Sequence, residues 1–383
     1  MIEIVDKYKC SGCAACANAC PQDCITMLAD DLGFAYPKVD SQACIDCGLC
    51  SKICPVLNKC NLEEHIEKAY AAKNRDDNVR KDSSSGGIFS LLAQKILDNR
   101  GIVYGATFDE DLRVNHVAVS SKSELSKLQG SKYVQSNIGL IYREVEKKLK
   151  EGKQVLFTGT PCQVNGLRAY LRRKYENLIT QDLICHGVLS SVVFEKYLSC
   201  RAQKQGAKVQ SMTFRDKING WKNYAVKINF DDGSQYSMPH VRDEVMRVYL
   251  NNYAMRPSCY ECAFKGKNRM SDITLADFWG AKNVVPQMDD DKGLSFVICH
   301  SSKGNELLQS ILPNTESQNV NYEDVIRYNM SGEKSTPEPR NNKEFCQEIL
   351  ENSFDGVVKK YCKVPFKSKL KRVVKAIVKK IKI

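Results

Sequence analysis

The chain has 383 residues, 43% of them hydrophobic and 27% charged, a balance that suits a globular protein of two or three domains and excludes a disordered or fibrous one. Its net charge of +12 is local: eleven of the 57 basic residues stand between Lys359 and Ile383 with no acid among them, which leaves 46 bases against 45 acids elsewhere. A near-neutral body lacks the electrostatic footprint of nucleic-acid binding, and no run approaches the ~20 apolar residues of a membrane span.

The first predicted element is a pair of cysteine runs. Eight of the 18 cysteines form two copies of one spacing: Cys10, Cys13, Cys16, Cys20 before Pro21, and Cys44, Cys47, Cys50, Cys54 before Pro55. This is the bacterial two-cluster ferredoxin run, in which the fourth cysteine of each copy ligates the other cubane. On that rule Cys10, Cys13, Cys16 and Cys54 hold one 4Fe–4S cluster, and Cys44, Cys47, Cys50 and Cys20 hold a second. Zinc sites use separated ligand pairs, and disulfides need an oxidising compartment. Met1-Ile2-Glu3-Ile4-Val5-Asp6 is short and acidic, unlike a signal peptide, so a cytoplasmic location is expected.

Asn58–Glu67 reads as a polar linker, and Ala69–Ala72 as a short buried strand. Ser83, Ser84, Ser85, Gly86 and Gly87 then precede the amphipathic segment Ile88–Leu97. Small residues before a helix leave backbone N–H groups free at the positive end of its dipole, so this loop is either a phosphate cradle or a simple cap. Strands follow at Ile102–Ala106 and Val114–Val119. Gly130-Ser131-Lys132-Tyr133 is either a contact for a flavin phosphate or ring, or a plain turn. Ile138–Lys150 is helical. A strand at Gln154–Phe157 leads through Thr158-Gly159-Thr160-Pro161-Cys162 into a helix, and Leu178–Ile184 leads into Cys185-His186-Gly187. Both cysteines sit at carboxyl ends of strands, where α/β sheets bind ligands, and a cysteine at a helix start suits metal ligation or nucleophilic chemistry. Residues 209–238 alternate as antiparallel strands with a turn at Asp231-Asp232-Gly233. Arg242–Tyr253 reads as a helix before Cys259-x2-Cys262, and Asp272–Asp277 as a strand before Phe278-Trp279-Gly280. Asp289-Asp290-Asp291 reads as a solvated loop. Leu294–His300 is a buried strand, and Asn305–Leu312 a helix. Cys24, Cys60, Cys200, Cys299, Cys346 and Cys362 have no ligand spacing and read as ordinary thiols.

Taken together, the serine–glycine loop, Gly130-Ser131-Lys132-Tyr133, Gly159-Thr160-Pro161-Cys162, Cys185-His186-Gly187, Cys259-x2-Cys262 and Asp272-Ile273 to Asp277-Phe278-Trp279-Gly280 resemble the coenzyme F-420 hydrogenase/dehydrogenase beta-subunit family over roughly residues 1–330. The resemblance implies an N-terminal bacterial ferredoxin-like dicluster domain (1–60), a mixed α/β flavin-binding domain with an antiparallel segment (66–330), and a C-terminal extension (331–383). It implies FAD beside a third 4Fe–4S cluster on Cys162, Cys185, Cys259 and Cys262. FAD contacts are expected from Ser84, Ser85, Gly86, Gly87, Lys132, Tyr133 and Thr160. No catalytic residue is fixed; His186, either a proton donor or a structural hydrogen-bonding group, and Lys132 are the candidates. The expected function is an oxidoreductase coupling one-electron transfer to two-electron flavin chemistry, with an electron-transfer subunit lacking its own substrate site as the alternative. A redox partner protein or reduced ferredoxin is the expected partner. Bacterial relatives of this shape accompany cell-surface polysaccharide enzymes, which adds a glycan-related or other small-molecule substrate. Phe366, Leu370, Val373, Val374, Ile377, Val378 and Ile381 would share one face of a basic helix, suited to the inner membrane face or to a partner.

Overall fold

The computed structural model describes residues 1–4, 6–58 and 68–364. The basic segment Phe366–Ile381, Cys60 and nearly all of the linker lie outside the described residues. The strands are β1 (Ile25–Ala29), β2 (Ala35–Val39), β3 (Lys68–Asn74), β4 (Ile102–Phe108), β5 (Val114–Val119), β6 (Val155–Thr158), β7 (Leu178–Leu183), β8 (Val209–Asp216), β9 (Ala225–Phe230), β10 (Gln235–Pro239), β11 (Ile273–Asp277), β12 (Ser295–Cys299) and β13 (Thr315–Asn319).

Eight of them form one sheet in the order β13-β3-β12-β11-β7-β6-β4-β5. β4, β6, β7 and β11 are mutually parallel. β12 is antiparallel to both β11 and β3, so β3 shares their direction and all five carboxyl ends meet one edge. Both faces of the sheet's centre are covered, which is why β6 and β12 read as near-continuous apolar runs. Along β6, Val155 and Phe157 join one core while Leu156 joins another. Along β12, Phe296 and Ile298 pack opposite Val297 and Cys299. This is the period of two expected of a pleated strand. The helix Ile88–Asp98 covers one face with Ile88, Leu92, Ala93 and Ile96. Helices Ile141–Lys150 and Pro161–Leu171 cover the other, against Tyr104, Val155 and Phe157.

A three-stranded antiparallel sheet, β10-β9-β8, builds a second layer. Its core takes in the helix Ser191–Gln205, the helix Glu244–Leu250, and Phe345, Ile349, Phe354, Val357 and Val358. The segment expected to start a C-terminal extension at 331 is thus part of this core as far as it is described. The N-terminal cysteine module carries the β1–β2 hairpin and is likewise no appendage. Cys13, Ala14, Ala15 and Ile53 share a core with Tyr142, Val164 and Leu167. Gly166 makes this approach possible, since a Cβ there would stand 2.9 Å from Cys13 Cβ.

The acidic loop expected to be solvated is engaged instead. Asp290 pairs with Arg80 at 2.7 Å and Lys73 at 3.3 Å, and Asp289 pairs with Lys222. Gly86 has a packing reason of its own. A Cβ there would meet the Ala72 carbonyl at 2.5 Å and the Ser295 amide at 2.8 Å. Gly86→Ala is expected to lower folding stability by about 1–3 kcal/mol whether or not any cofactor is bound; equal unfolding midpoints for variant and parent would contradict this.

Candidate functional site

The carboxyl edge of the parallel strands gathers the sequence motifs. The loop after β6 ends in Thr160, whose hydroxyl and Gln163 form a capping box for the helix Pro161–Leu171. That cap holds Cys162 in the first turn, 3.1 Å from Thr160 Oγ1. Cys185 follows β7, with Lys265 donating to its carbonyl. Cys259 lies in the short helix Pro257–Tyr260, and the Cys262 amide donates to Ser335 Oγ at 2.9 Å. These four cysteines line one cavity of about 270 Å³ with Thr160, His186, Gln135, Arg256, Lys265 and Arg269. Among the described residues no three His, Cys, Asp or Glu side chains close around a single ion. The four thiols line one shared space.

Burial pushes the thiols of Cys162 and Cys259 well up and that of Cys185 up. Buried thiols of this kind stay protonated unless a metal cation takes the proton's place. Beyond burial, Cys162 is raised by Cys262, Cys185 and Cys13, so the inner part of the ferredoxin module adjoins this cavity. Cys13 is itself pushed to about 12 by burial, with Cys16, Cys10 and Cys54 adding to the shift. The sequence pattern groups the same four residues. On the far side of the module, Cys20, Cys44, Cys47 and Cys50 line a second, smaller cavity of about 20 Å³ together with Cys24.

Arg256, which carries no motif, joins the two regions. It is fully buried. Its guanidinium donates to Cys10 O at 2.8 Å, Gln135 Oε1 at 2.9 Å and Ala35 O at 3.0 Å, and reaches Cys10 Sγ at 3.7 Å. It also lies 4.4 Å over the Tyr36 ring. Its backbone carbonyl accepts from the Cys259 amide.

The residues expected to contact a flavin separate into two groups. Thr160 belongs to the four-cysteine cavity. Ser84 Oγ accepts from both the amide and the hydroxyl of Ser131 at 2.8 Å. Arg215, invisible from sequence, bonds Tyr133 OH at 3.2 Å, Ser84 O at 3.1 Å and Asp277 Oδ2 at 2.8 Å. Its buried Nε has no partner. Ser85 Oγ donates to Leu294 O, and the Gly86 amide to Ser295 Oγ. Those two residues therefore anchor the loop to β12, and the Gly86 amide is not free for a phosphate. Gly87 caps the helix Ile88–Asp98 with φ of 80°. Two ammonium groups stand beside the loop with carbonyl oxygens as hydrogen-bond acceptors. Lys132 donates to Gln129 O, and Lys217 to Arg80 O and Ser85 O. Burial pushes both down to about 7.

Tyr133 is linked to the cysteine cavity by one ring. Its centroid lies 4.6 Å from Tyr249, which lies 5.2 Å from His186 and donates to Gly187 O. Both ring nitrogens of His186 are engaged, with Asn252 Oδ1 at 2.8 Å and Ser331 Oγ at 3.2 Å. Of its two sequence readings, this geometry is that of the structural hydrogen-bonding group.

A second histidine, not singled out in the sequence, braces the loop after β6. His116 Nε2 donates to Thr158 O at 2.9 Å, leaving Nδ1 to accept from Ser136. Burial pushes its imidazole down to about 4 against that carbonyl bond, with Lys132 adding to the lowering. Between that value and the ordinary 6.5 the unfolded chain binds the extra proton, so folding stability falls as pH drops through this window, by roughly 3 kcal/mol in all. His116→Gln is expected to flatten that part of the stability–pH curve; an unchanged slope would contradict it.

Three family models match along the chain. Residues 9–58 match a 4Fe-4S dicluster domain. Residues 69–140 match the N-terminal part, and residues 152–325 the C-terminal part, of the coenzyme F420 hydrogenase/dehydrogenase beta subunit. A coenzyme F420-dependent sulfite reductase of Methanocaldococcus jannaschii is 22% identical over 94% of this chain; the match spans 55% of that longer protein. An uncharacterised protein of the same organism is 23% identical over 84% of this chain and 93% of its own length. Among solved structures, a chain of the F420-reducing [NiFe] hydrogenase complex from Methanosarcina barkeri aligns over 77% of this chain and 92% of its own, with 18% identity and a TM-score of 0.48. Among the described residues no helix is long and apolar enough to cross a membrane.

Proposed function

We propose that this chain, which belongs to the coenzyme F420 hydrogenase/dehydrogenase beta-subunit family, is an iron–sulfur flavoprotein that exchanges electrons one at a time with a redox partner and in pairs with a small-molecule substrate. One-electron carriage is the chemistry that bound clusters supply, and exchange between single electrons and hydride pairs is what a bound flavin supplies. In this reading Cys44, Cys47, Cys50 and Cys20 hold the outer cluster. Cys10, Cys13, Cys16 and Cys54 hold the inner one, and Cys162, Cys185, Cys259 and Cys262 hold a third. Ser84, Lys132 and Tyr133 contact the flavin.

The observation that carries the reading is the convergence of Cys162, Cys185, Cys259 and Cys262, which are scattered over a hundred positions, on one cavity. That cavity lies against the inner ferredoxin cysteines on one side and one ring from Tyr133 on the other. The protein's own work is to order the carriers, exclude water from the buried thiols, and hold Arg256 as a fixed cation between two anionic centres. The test is anaerobic reduction of the whole protein by a reduced ferredoxin, followed by optical spectroscopy. Cluster bleaching followed by flavin bleaching is expected; clusters that bleach while a bound flavin stays oxidised would overturn the coupling. Steady turnover of a candidate substrate by the isolated chain separates an enzyme from a subunit that feeds a partner.

A further inference from the structure

A surface groove opens beside Cys20, the residue that completes the outer cysteine set. It starts at Cys20 and Pro21 and runs along the helix Ile141–Lys150, lined by Arg143, Lys147, Lys150 and Arg172. Leu140, Arg143, Lys147 and Lys150 recur at helical spacing and so share one face, and Leu140 is 57% exposed. Arg143 ties that face to the cysteine module. Its guanidinium donates to Asn18 O at 2.6 Å and Cys20 O at 3.0 Å, and pairs with Asp23 at 2.6 Å. The other acids of the groove are engaged too, Glu146 with Lys150 at 2.8 Å and Glu151 with Lys148 at 2.9 Å. Lys147 and Arg172 are exposed, and neither forms an ion pair among the described residues. Residues 139–153 and 172–176 together carry eight bases and four acids, whereas residues 1–57 carry four bases and seven acids. The cysteine module on its own therefore repels an acidic protein. The large domain supplies the cationic surface that the module lacks, directly beside Cys20.

We propose that this groove is the docking face for an acidic one-electron carrier protein, which meets the outer cluster from the Cys20 side. This rests on the assignment of the outer cluster to Cys20, Cys44, Cys47 and Cys50 given above. One electron leaves the reduced carrier and enters the oxidised outer cluster; no bond breaks and no proton moves. Charge complementarity selects the occupant, with carboxylates of the carrier set against Lys147 and Arg172. Such a patch speeds encounter and fixes orientation, and salt weakens it. Arg143 is the positioning residue, because it holds the Cys20 carbonyl against the helix on which the carrier rests. Leu140 gives the contact an apolar point at the head of the same face.

The test is anaerobic stopped-flow reduction of the full-length, cluster-loaded protein by a reduced acidic two-cluster ferredoxin at a series of salt concentrations. Wild type is compared with the double variant Lys147→Glu, Arg172→Glu, which breaks no ion pair. The control is Lys95→Glu, Lys208→Glu, the same charge change at exposed sites on other elements. Iron content and unfolding midpoint check that each protein is loaded and folded. Reduced methyl viologen, a small cation, checks that its clusters still accept electrons. At low salt the groove variant is expected to be reduced by ferredoxin about tenfold more slowly than wild type, with the gap closing as salt rises. Lys147→Gln, Arg172→Gln removes the charge without reversing it, and should give a smaller loss in the same direction. Equal rates for the groove variants and wild type, or an equal loss in the control, would overturn the docking face. So would a wild type that reduced ferredoxin leaves oxidised. Full iron in Cys44→Ala is a different failure, because it removes the outer-cluster assignment itself.

Discussion

Cys162→Ser is expected to remove about four iron atoms and four sulfides per chain while leaving the signals of the two ferredoxin clusters in place. The effect is all-or-none because the site offers one thiol at each of four positions and no substitute. Cys162 is held by the Thr160–Gln163 cap at the first turn of its helix, and the cavity it lines contains three further cysteines. Serine keeps the shape and the hydroxyl contact to Thr160, so folding is expected to survive. A serine hydroxyl ionises far less readily than a thiol, and a buried site that already disfavours the thiolate disfavours the alkoxide more. Unchanged iron in a folded Cys162→Ser protein would remove this residue from any cluster. Cys259→Ser should behave in the same way.

Arg256→Ala is expected to lower stability by about 3 kcal/mol or more and to slow electron passage from the ferredoxin clusters inward. The guanidinium makes charge-assisted hydrogen bonds to two carbonyls and one side-chain oxygen, each worth about 1.5–3 kcal/mol when the partner is left buried. It also fills the space over Tyr36, and a side chain on Gly12 would strike it at 2.7 Å. Its removal therefore leaves a cavity where the module meets the large sheet. Arg256→Lys keeps the charge but cannot reach Cys10 O, Gln135 and Ala35 together, because an ammonium lacks the planar fork. The lysine variant should recover little of the unfolding midpoint. A midpoint within a degree or two of the parent, with unaltered reduction kinetics, would contradict the bridging role.

How far the amino-acid pattern could be read depends on whether a feature is local. The ferredoxin cysteines are local: their spacing alone groups Cys10, Cys13, Cys16 and Cys54, the set that raises the Cys13 thiol in the folded chain. Most strands of the central sheet were legible for a similar reason, since burial on both faces writes an apolar run. β13 was not, because Thr315-Glu-Ser-Gln-Asn lies at an edge with only Thr315 buried. The helix Ser191–Gln205 was missed despite being the longest described; its buried face is only Val193, Phe194, Tyr197 and Arg201. The strand pattern alone brings Cys162 and Cys185 to one sheet edge, but Cys259 and Cys262 join them only through the family resemblance, because topology rather than spacing brings the four together. Arg256 and Arg215 had no signal at all, as their roles exist only once distant carbonyls surround them. Gly86 shows a packing role that spacing does not announce. The loop reads as a phosphate cradle or a helix cap, and in the folded chain its glycine leaves room for β3 and β12.

The most direct measurement is anaerobic iron, sulfide and flavin analysis of the purified protein. The account predicts about twelve iron atoms, about twelve sulfides and about one flavin per chain. A folded chain holding about eight iron atoms or fewer and no flavin would contradict it.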